Sequence, residues 1–331
     1  VFASMLFAGM TGAAVAEAGG LGTIALRFLR QAGYPDKLSI GLIGASATIG
    51  PVIPPSLPLV IYGVTAGVSI GELFVAGFVP GVLMGLALMA AAGFFVRGNP
   101  NIARNTFSMR AIVHAAKEAV LPMLTPVIIL GGILAGIVTP TEAAVAAVIY
   151  AFFLNVFVYR SMTWRQFKEI SLETVEATAV IMVIAAAAAM FGWMLTISGL
   201  PARFASGILA LTGGNEILVL LIITLLLLVV GLFMEAIASI TILVPILLPV
   251  VTAIGVDPVH FGVIMVLNLM IGLLTPPVGA VLFVLARVAN VSFEFVSASA
   301  ARFIVPLLLV LLLLTFVPQI VMFAPNLFFG D

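Results

Sequence analysis

The sequence predicts an all-α membrane protein, an inverted-repeat secondary transporter with two re-entrant hairpins and two broken helices. Three observations carry that expectation. Of the 331 residues, 63% are hydrophobic and 8% charged, whereas soluble domains carry roughly a quarter charged residues. Apolar runs close to the ~20 residues that cross a bilayer recur along the whole chain. Two of these runs are interrupted by adjacent prolines, at "IGPVIPPS" (49–56) and "IGLLTPPVG" (271–279).

In chain order, residues 1–30 read as a helical hairpin with a shortened first arm and "GMTGAAVAEAGG" as its tip. Spans follow at 38–65, 73–96, 119–138, 140–159, 174–198 and 296–323, with a broken span at 259–285. Residues 216–233 and 236–252 are separated by too few residues for a polar loop, so they read as a second hairpin that enters and leaves by one face. "RNTFSMRAIVHAAKE" (104–118) is basic with scattered apolar positions and reads as an interfacial helix. "TPTE" (139–142) and "SIGE" (69–72) are capping boxes that start helices. His260 and His114 read as interfacial, and Trp164 as an interface anchor.

Sidedness follows from charge. Lys and Arg cluster at 27–37, 97–117 and 160–168, while 65–71 and 138–142 have none. One crossing separates each cluster from the next bare loop, which puts the basic clusters on the cytoplasmic side.

The chain also repeats itself. "IGPVIPPS" recurs as "IGLLTPPV" at an offset of 222, and the same offset pairs Gly9 with Gly231, Gly33 with Gly255 and Glu72 with Glu294. Residues 7–72 and 229–294 share 12 identities in 66 positions, and the weight lies in glycines and prolines at tip, turn and break. The turn after the first hairpin is basic, whereas "TAIGVDPVH" (252–260) has no Lys or Arg, as inversion requires. Such repeats mark secondary transporters. The second copy is preceded by residues 121–230 and the first by a few residues only. That difference predicts a longer protein, with about 100 further residues upstream. No signal peptide opens the chain at Val1.

A helix broken at mid-membrane bares carbonyls at one end and amides at the other. Carbonyls suit a cation and the amide end suits a carboxylate. Two pseudosymmetric cages are therefore expected, Gly50–Ser56 opposite Thr11–Ala14 and Gly272–Gly279 opposite Phe233–Ala236. The candidate Na+ ligands are Gly50, Pro51, Ile53, Pro54, Gly272, Thr275, Pro276 and Gly279. The candidate substrate-binding residues are Thr11, Gly12, Ala13, Ser56 and Glu235. Sodium fits better than a proton, because the breaks are rich in carbonyls and hydroxyls and hold no carboxylate. The competing reading is a pair of proline kinks re-satisfied by neighbouring helices. Glu235 sits in apolar sequence, where a carboxylate points to function; its competing reading is a tip dipping into water or an N-cap. Glu17 is a weaker case beside a glycine run.

Other classes fit poorly. Zero net charge argues against nucleic acid as a partner. There is no cysteine, and the two histidines are not in zinc-protease spacing. No serine–histidine, paired-aspartate or metal constellation supports an enzyme.

"GPVIPPSLPLVIYG", "VTPTEAA", "DPVHFGVIMVLNLMIGLLTPPVG" and "FMEAIASITILVPILLP" together resemble the large membrane subunit, DctM type, of TRAP (tripartite ATP-independent periplasmic) transporters. The likeness covers essentially the whole chain. It implies a multi-pass protein of the bacterial inner membrane, embedded in the lipid bilayer and working by an elevator motion. The implied cargo is a small organic anion, a C4-dicarboxylate or a sugar acid, carried with Na+. The implied partners are a small membrane subunit of the DctQ type and a periplasmic substrate-binding protein. A symporter of the same superfamily that needs no binding protein is the alternative. On that resemblance 1–65 and 215–285 form the two halves of a transport domain, and 66–118, 119–214 and 286–331 the scaffold with its interfacial arm. The family's first tip usually reads serine-glycine-serine. Here it is Thr11-Gly12-Ala13, which keeps one hydroxyl and loses the next. The second tip, commonly Met-Asp, is Met234-Glu235. Ser56 stands at the family's Pro-Pro-Ser hydroxyl, and Thr275 precedes the second proline pair. No arginine lies near either cage, so hydroxyls, helix ends and bound cations would hold the anion.

Overall fold

The computed structural model describes residues 1–97 and 108–330, which form helices and connecting turns with no strand among them. Contacts divide the chain into two compact units, one drawn from Val1–Ala103 and Ala188–Asp331, the other from Arg104–Ala187.

The first unit opens with α1 (Phe2–Thr11) and α2 (Ala14–Gln31), the arms of the first hairpin. Next come α3 (Asp36–Ala47) and α4 (Leu57–Ala66), the two halves of the first broken helix, and then α5 (Ile70–Val96). The second unit holds α6 (Met109–Leu134), α7 (Pro140–Phe153), a π-helical turn at 154–158 and most of α8 (Trp164–Ser198). The remainder belongs to the first unit. It comprises α9 (Leu200–Thr212), the second hairpin α10 (Glu216–Phe233) with α11 (Ala236–Ala253), the second broken helix α12 (Pro258–Gly272) with α13 (Ala280–Ala289), then α14 (Phe293–Phe316) and α15 (Pro318–Phe329). Seven helices among the described residues are long and apolar enough to cross a membrane.

The sequence marks most boundaries. Thr139 and Glu142 close the expected capping box at the start of α7, with Glu142 Oε2 accepting from Thr139 N at 2.8 Å. Asp257 caps α12 through Val259 N (2.7 Å) and His260 N (3.1 Å), with Pro258 at the first helical position where its missing donor does no harm. Four expectations need correction. Residues 109–118 are not a separate interfacial helix but run on into α6, since nothing between Met109 and Leu134 ends the helix; residues 104–107 lie outside those described. Helix α9 was not anticipated. The run 296–323 divides at Val317, whose non-helical conformation (φ −123°, ψ 74°) ahead of Pro318 closes α14 and opens α15. His260 is buried rather than interfacial, its Nε2 2.8 Å from the Leu314 carbonyl.

The internal repeat survives as structure. Shifted by 222, both ends of α2 fall on both ends of α11, and the Gly33 and Gly255 turns share positive φ of 80° and 84°. Packing is reciprocal: α2 lies on α13 and α11 on α4, while α4 meets α12 and α13 meets α3. Exchanging the two copies reproduces the pairs, which is the property of an approximate two-fold axis. Each hairpin's second arm thus packs on the other copy's half-helix.

Candidate functional site: two broken helices met by two hairpins

At the first tip α1 ends on Thr11, Gly12 turns the chain with φ 58°, and extended Ala13 precedes α2. Gly12 lies against the first break: a Cβ there would come within 3.1 Å of the Pro55 carbonyl and 3.5 Å of Leu57 N. The break itself runs from Thr48 to Pro55 and is buried except at Pro55, which is half-buried. Ser56 ends it as the N-cap of α4, accepting from Leu59 N and donating to the Pro51 carbonyl. The carbonyls of Gly50, Val52, Ile53, Pro54 and Pro55 accept no hydrogen bond from the described residues. Pro51 differs, since its carbonyl is taken by Ser56.

The second pair is built alike and seated differently. Gly231 in α10 meets Gly272 backbone to backbone, where a Cβ on Gly272 would lie 2.5 Å from the Gly231 carbonyl carbon. Gly279 N donates to the Leu232 carbonyl at 3.3 Å. The residues facing this break are therefore Gly231 and Leu232, one turn before the expected Phe233–Ala236. Thr275 donates its hydroxyl to the Ile271 carbonyl at 2.8 Å, and the carbonyls of Leu274 to Val278 accept nothing from the described residues. Pro276, Pro277 and Val278 are exposed, in contrast to the first break.

Glu235 and Ala13 are equivalent N-caps in the two copies. Glu235 is exposed and uses its carboxylate as a cap, Oε2 accepting from Ile237 N (2.7 Å) and Ala238 N (3.3 Å). Ala13 has no such group, so the first amides of α2 have no side-chain cap. Thr11, also exposed, gives its hydroxyl to Phe7 in its own helix.

One residue matters more than the sequence suggested. Glu17, in the first turn of α2, is 2% exposed, and neither carboxylate oxygen has a hydrogen-bond partner. Ser4 lies close enough to influence it but donates to Ser46 instead. A Cβ on Gly50 would be 2.5 Å from Glu17 Oε2, 3.4 Å from the Ala47 carbonyl and 3.7 Å from Thr11 Oγ1. The expectation that both breaks lack a carboxylate is thus overturned for the first: glycine at 50 leaves room for one beside it. An unpaired carboxylate in a low-dielectric interior is several kcal/mol unfavourable. The positive end of α2 offsets part of that. A cation among these oxygens would offset more, and an all-oxygen set of carbonyl, hydroxyl and carboxylate suits a hard cation. No group of three or more His, Cys, Asp or Glu side chains clusters among the described residues, so a transition-metal site has no ligand set here.

Comparison with known proteins agrees with this architecture. The family model for the tripartite ATP-independent periplasmic transporter, DctM component, matches residues 1–320. The chain is 45% identical over 330 residues to the sialic acid TRAP transporter large permease protein SiaM of Vibrio cholerae, covering 100% of this chain and 77% of that one. It is 38% identical over 326 residues to the C4-dicarboxylate TRAP transporter large permease protein DctM of Pseudomonas aeruginosa, covering 98% and 76%. Against the isethionate TRAP transporter permease protein DctMQ of Oleidesulfovibrio alaskensis it is 44% identical over 321 residues, 96% of this chain and half of that longer protein. A multi-pass helical chain with this full-length match belongs to the DctM-component family of tripartite ATP-independent periplasmic transporters.

Proposed function

We propose that the chain is the permease core of a sodium-coupled importer of a small organic anion, handed to it by a periplasmic binding protein. The observation that supports this most is the pairing of each hairpin with a break in which five carbonyls accept no hydrogen bond from the described residues. In hydrocarbon each such group is unfavourable by several kcal/mol unless something polar meets it. Sodium at both breaks meets that need, with Gly50, Ile53, Pro54 and Glu17 at the first and Thr275 and Pro276 at the second. Gly272 and Gly279 leave the ligand set because Thr275 N and Leu282 N donate to their carbonyls at 2.9 and 2.8 Å. Pro51 drops from the ligand set while Ser56 occupies its carbonyl. The substrate carboxylate then docks at the uncapped start of α2, near Thr11, Gly12 and Ala13, with bound cations as its counter-charge. Glu235, spent on its own helix, acts through the shape of the second tip. The relatives named for sialic acid, C4-dicarboxylates and isethionate all carry acids, which fits an anion site without narrowing it further.

The moving body of the proposed elevator includes more than hairpins and broken helices. Gly41 of α3 lies directly on the backbone of Ser299 in α14, and Gly77 of α5 on the carbonyl of Val52 in the first break. Contacts that close leave no room for sliding, so α5 and α14 travel with the breaks.

Uptake into proteoliposomes holding the full-length subunit and its small membrane partner tests the proposal. Uptake of the anion should require both a sodium gradient and the binding protein. Uptake that survives replacement of sodium by choline would overturn the coupling, and uptake without the binding protein would favour the simpler symporter.

A further inference from the structure

At the end of α2, the Arg30 guanidinium forms a two-pronged bond to Asp36, Nε to Oδ1 and Nη2 to Oδ2, both at 2.8 Å. The same Nη2 donates to the carbonyl of Ala289 at 3.2 Å, in the last turn of α13. One side chain therefore joins the open end of hairpin 1, the start of the first broken helix and the end of a half-helix from the other copy. The face it closes is smooth. A Cβ on Gly19 would lie 3.5 Å from Val284 Cγ1 of α13, and one on Gly22 3.9 Å from Leu285 Cδ2 of α13 and 3.0 Å from Ile43 Cγ2 of α3. A helix that presents glycines has few interlocking side chains to hold it there. The other copy differs. Arg30 corresponds to Thr252, whose hydroxyl bonds to Leu248 and Pro249 within its own helix, and α4 is held instead by the Tyr62 hydroxyl on the Pro258 carbonyl at 2.6 Å.

We infer that Arg30 is a strap that keeps the mouth of hairpin 1 shut against α13, and that hairpin 1 opens by lifting α2 off that glycine face when the strap lets go. Among the described residues hairpin 2 has no such strap. The two gates are therefore unequal, and the strapped one is at the basic end of the hairpin, the cytoplasmic end by the distribution of Lys and Arg. A planar fork reaches a carboxylate and a carbonyl together; a lysine ammonium lacks that geometry. The consequence for cargo release rests on the transport reading above, but the strap itself is read without any transport.

There is no cysteine among the 331 residues, so a single introduced cysteine serves as the reporter. Ala18, one turn from Gly22 and fully buried, reports on α2 against α13; Ser239, a fully buried residue of α11, reports on hairpin 2. In R30Q, a water-soluble maleimide should label Ala18→Cys about five-fold faster than in the parent, the scale expected for losing one part-exposed ion pair. R30K should fall nearer R30Q than the parent, and T252V should match the parent. Ser239→Cys should stay protected in all of them. Equal labelling at position 18 in R30Q and parent would overturn the strap. Parallel rises at 18 and 239 would also overturn it, because they would show general loosening.

Discussion

At the residue scale Glu17 and Gly50 meet across 33 positions of chain. Replacing Glu17 by Gln keeps the shape and removes the charge. The sodium concentration for half-maximal transport should rise about ten-fold, the scale of one charge-assisted contact. An unchanged sodium dependence would move the cation away from the first break. Glu235→Ala removes two capping bonds and should destabilise α11 by ~1 kcal/mol; thermal unfolding in detergent reads that. If Glu235 acts through the tip's shape, transport falls with that loss and Glu235→Asp, which caps equally well, restores it. The Arg30 fork also holds the Asp36 carboxyl below its ordinary value, mainly through the hydrogen bond. A depressed carboxylate stabilises fully above the usual value of about 4 and loses its effect as pH falls through the lower folded value. The strap should therefore stay intact across neutral pH, and the ratio of maleimide labelling rates at position 18 between R30Q and the parent, in which the thiol's own titration cancels, should be flat between pH 6 and pH 8.

At the scale of elements, the prolines and glycines that punctuate the sequence made the hairpins and breaks legible. Each proline pair removes consecutive donors from a helix, and Gly33 and Gly255 adopt the left-handed turn that other residues resist. Capping chemistry placed the starts of α5 and α7 for the same local reason. What stayed hidden depends on contacts distant in sequence. The rotation that aims Glu17 at Gly50 is set by the packing of α2 on α3 and α13, and Arg30 meets a carbonyl 259 residues away. The division of 296–323 was missed because both halves are equally apolar, and a single pre-proline residue separates them. Interlocking makes its own prediction. Gly272→Ala would press a methyl group onto Gly231, and overpacking of this kind is unfavourable by about 1–3 kcal/mol. The hairpin should be displaced from the break, and the variant should lose sodium-dependent stabilisation while keeping its helical content. Full stabilisation by sodium in that variant would show that the contact is not needed for the site.

At the scale of the molecule, the two copies are alike in backbone and unlike in charge. The first break is buried with a carboxylate beside it; the second is exposed at Pro276–Val278 and faces Gly231 and Leu232. In the proposed transport cycle, unequal halves would let one chain bind cargo from one side and release it to the other, each half meeting a different step. The internal repeat was visible in the sequence, but this inequality was not, because it lies in which side chains the packing turns inward.

The central claim is that the bare carbonyls at both breaks hold sodium. Equilibrium binding of radioactive sodium to the purified full-length subunit tests it most directly. Saturable binding should be seen in the parent, with one component lost in Glu17→Gln and a different one in Thr275→Ala. Binding that is absent in the parent, or identical in all three proteins, would contradict it.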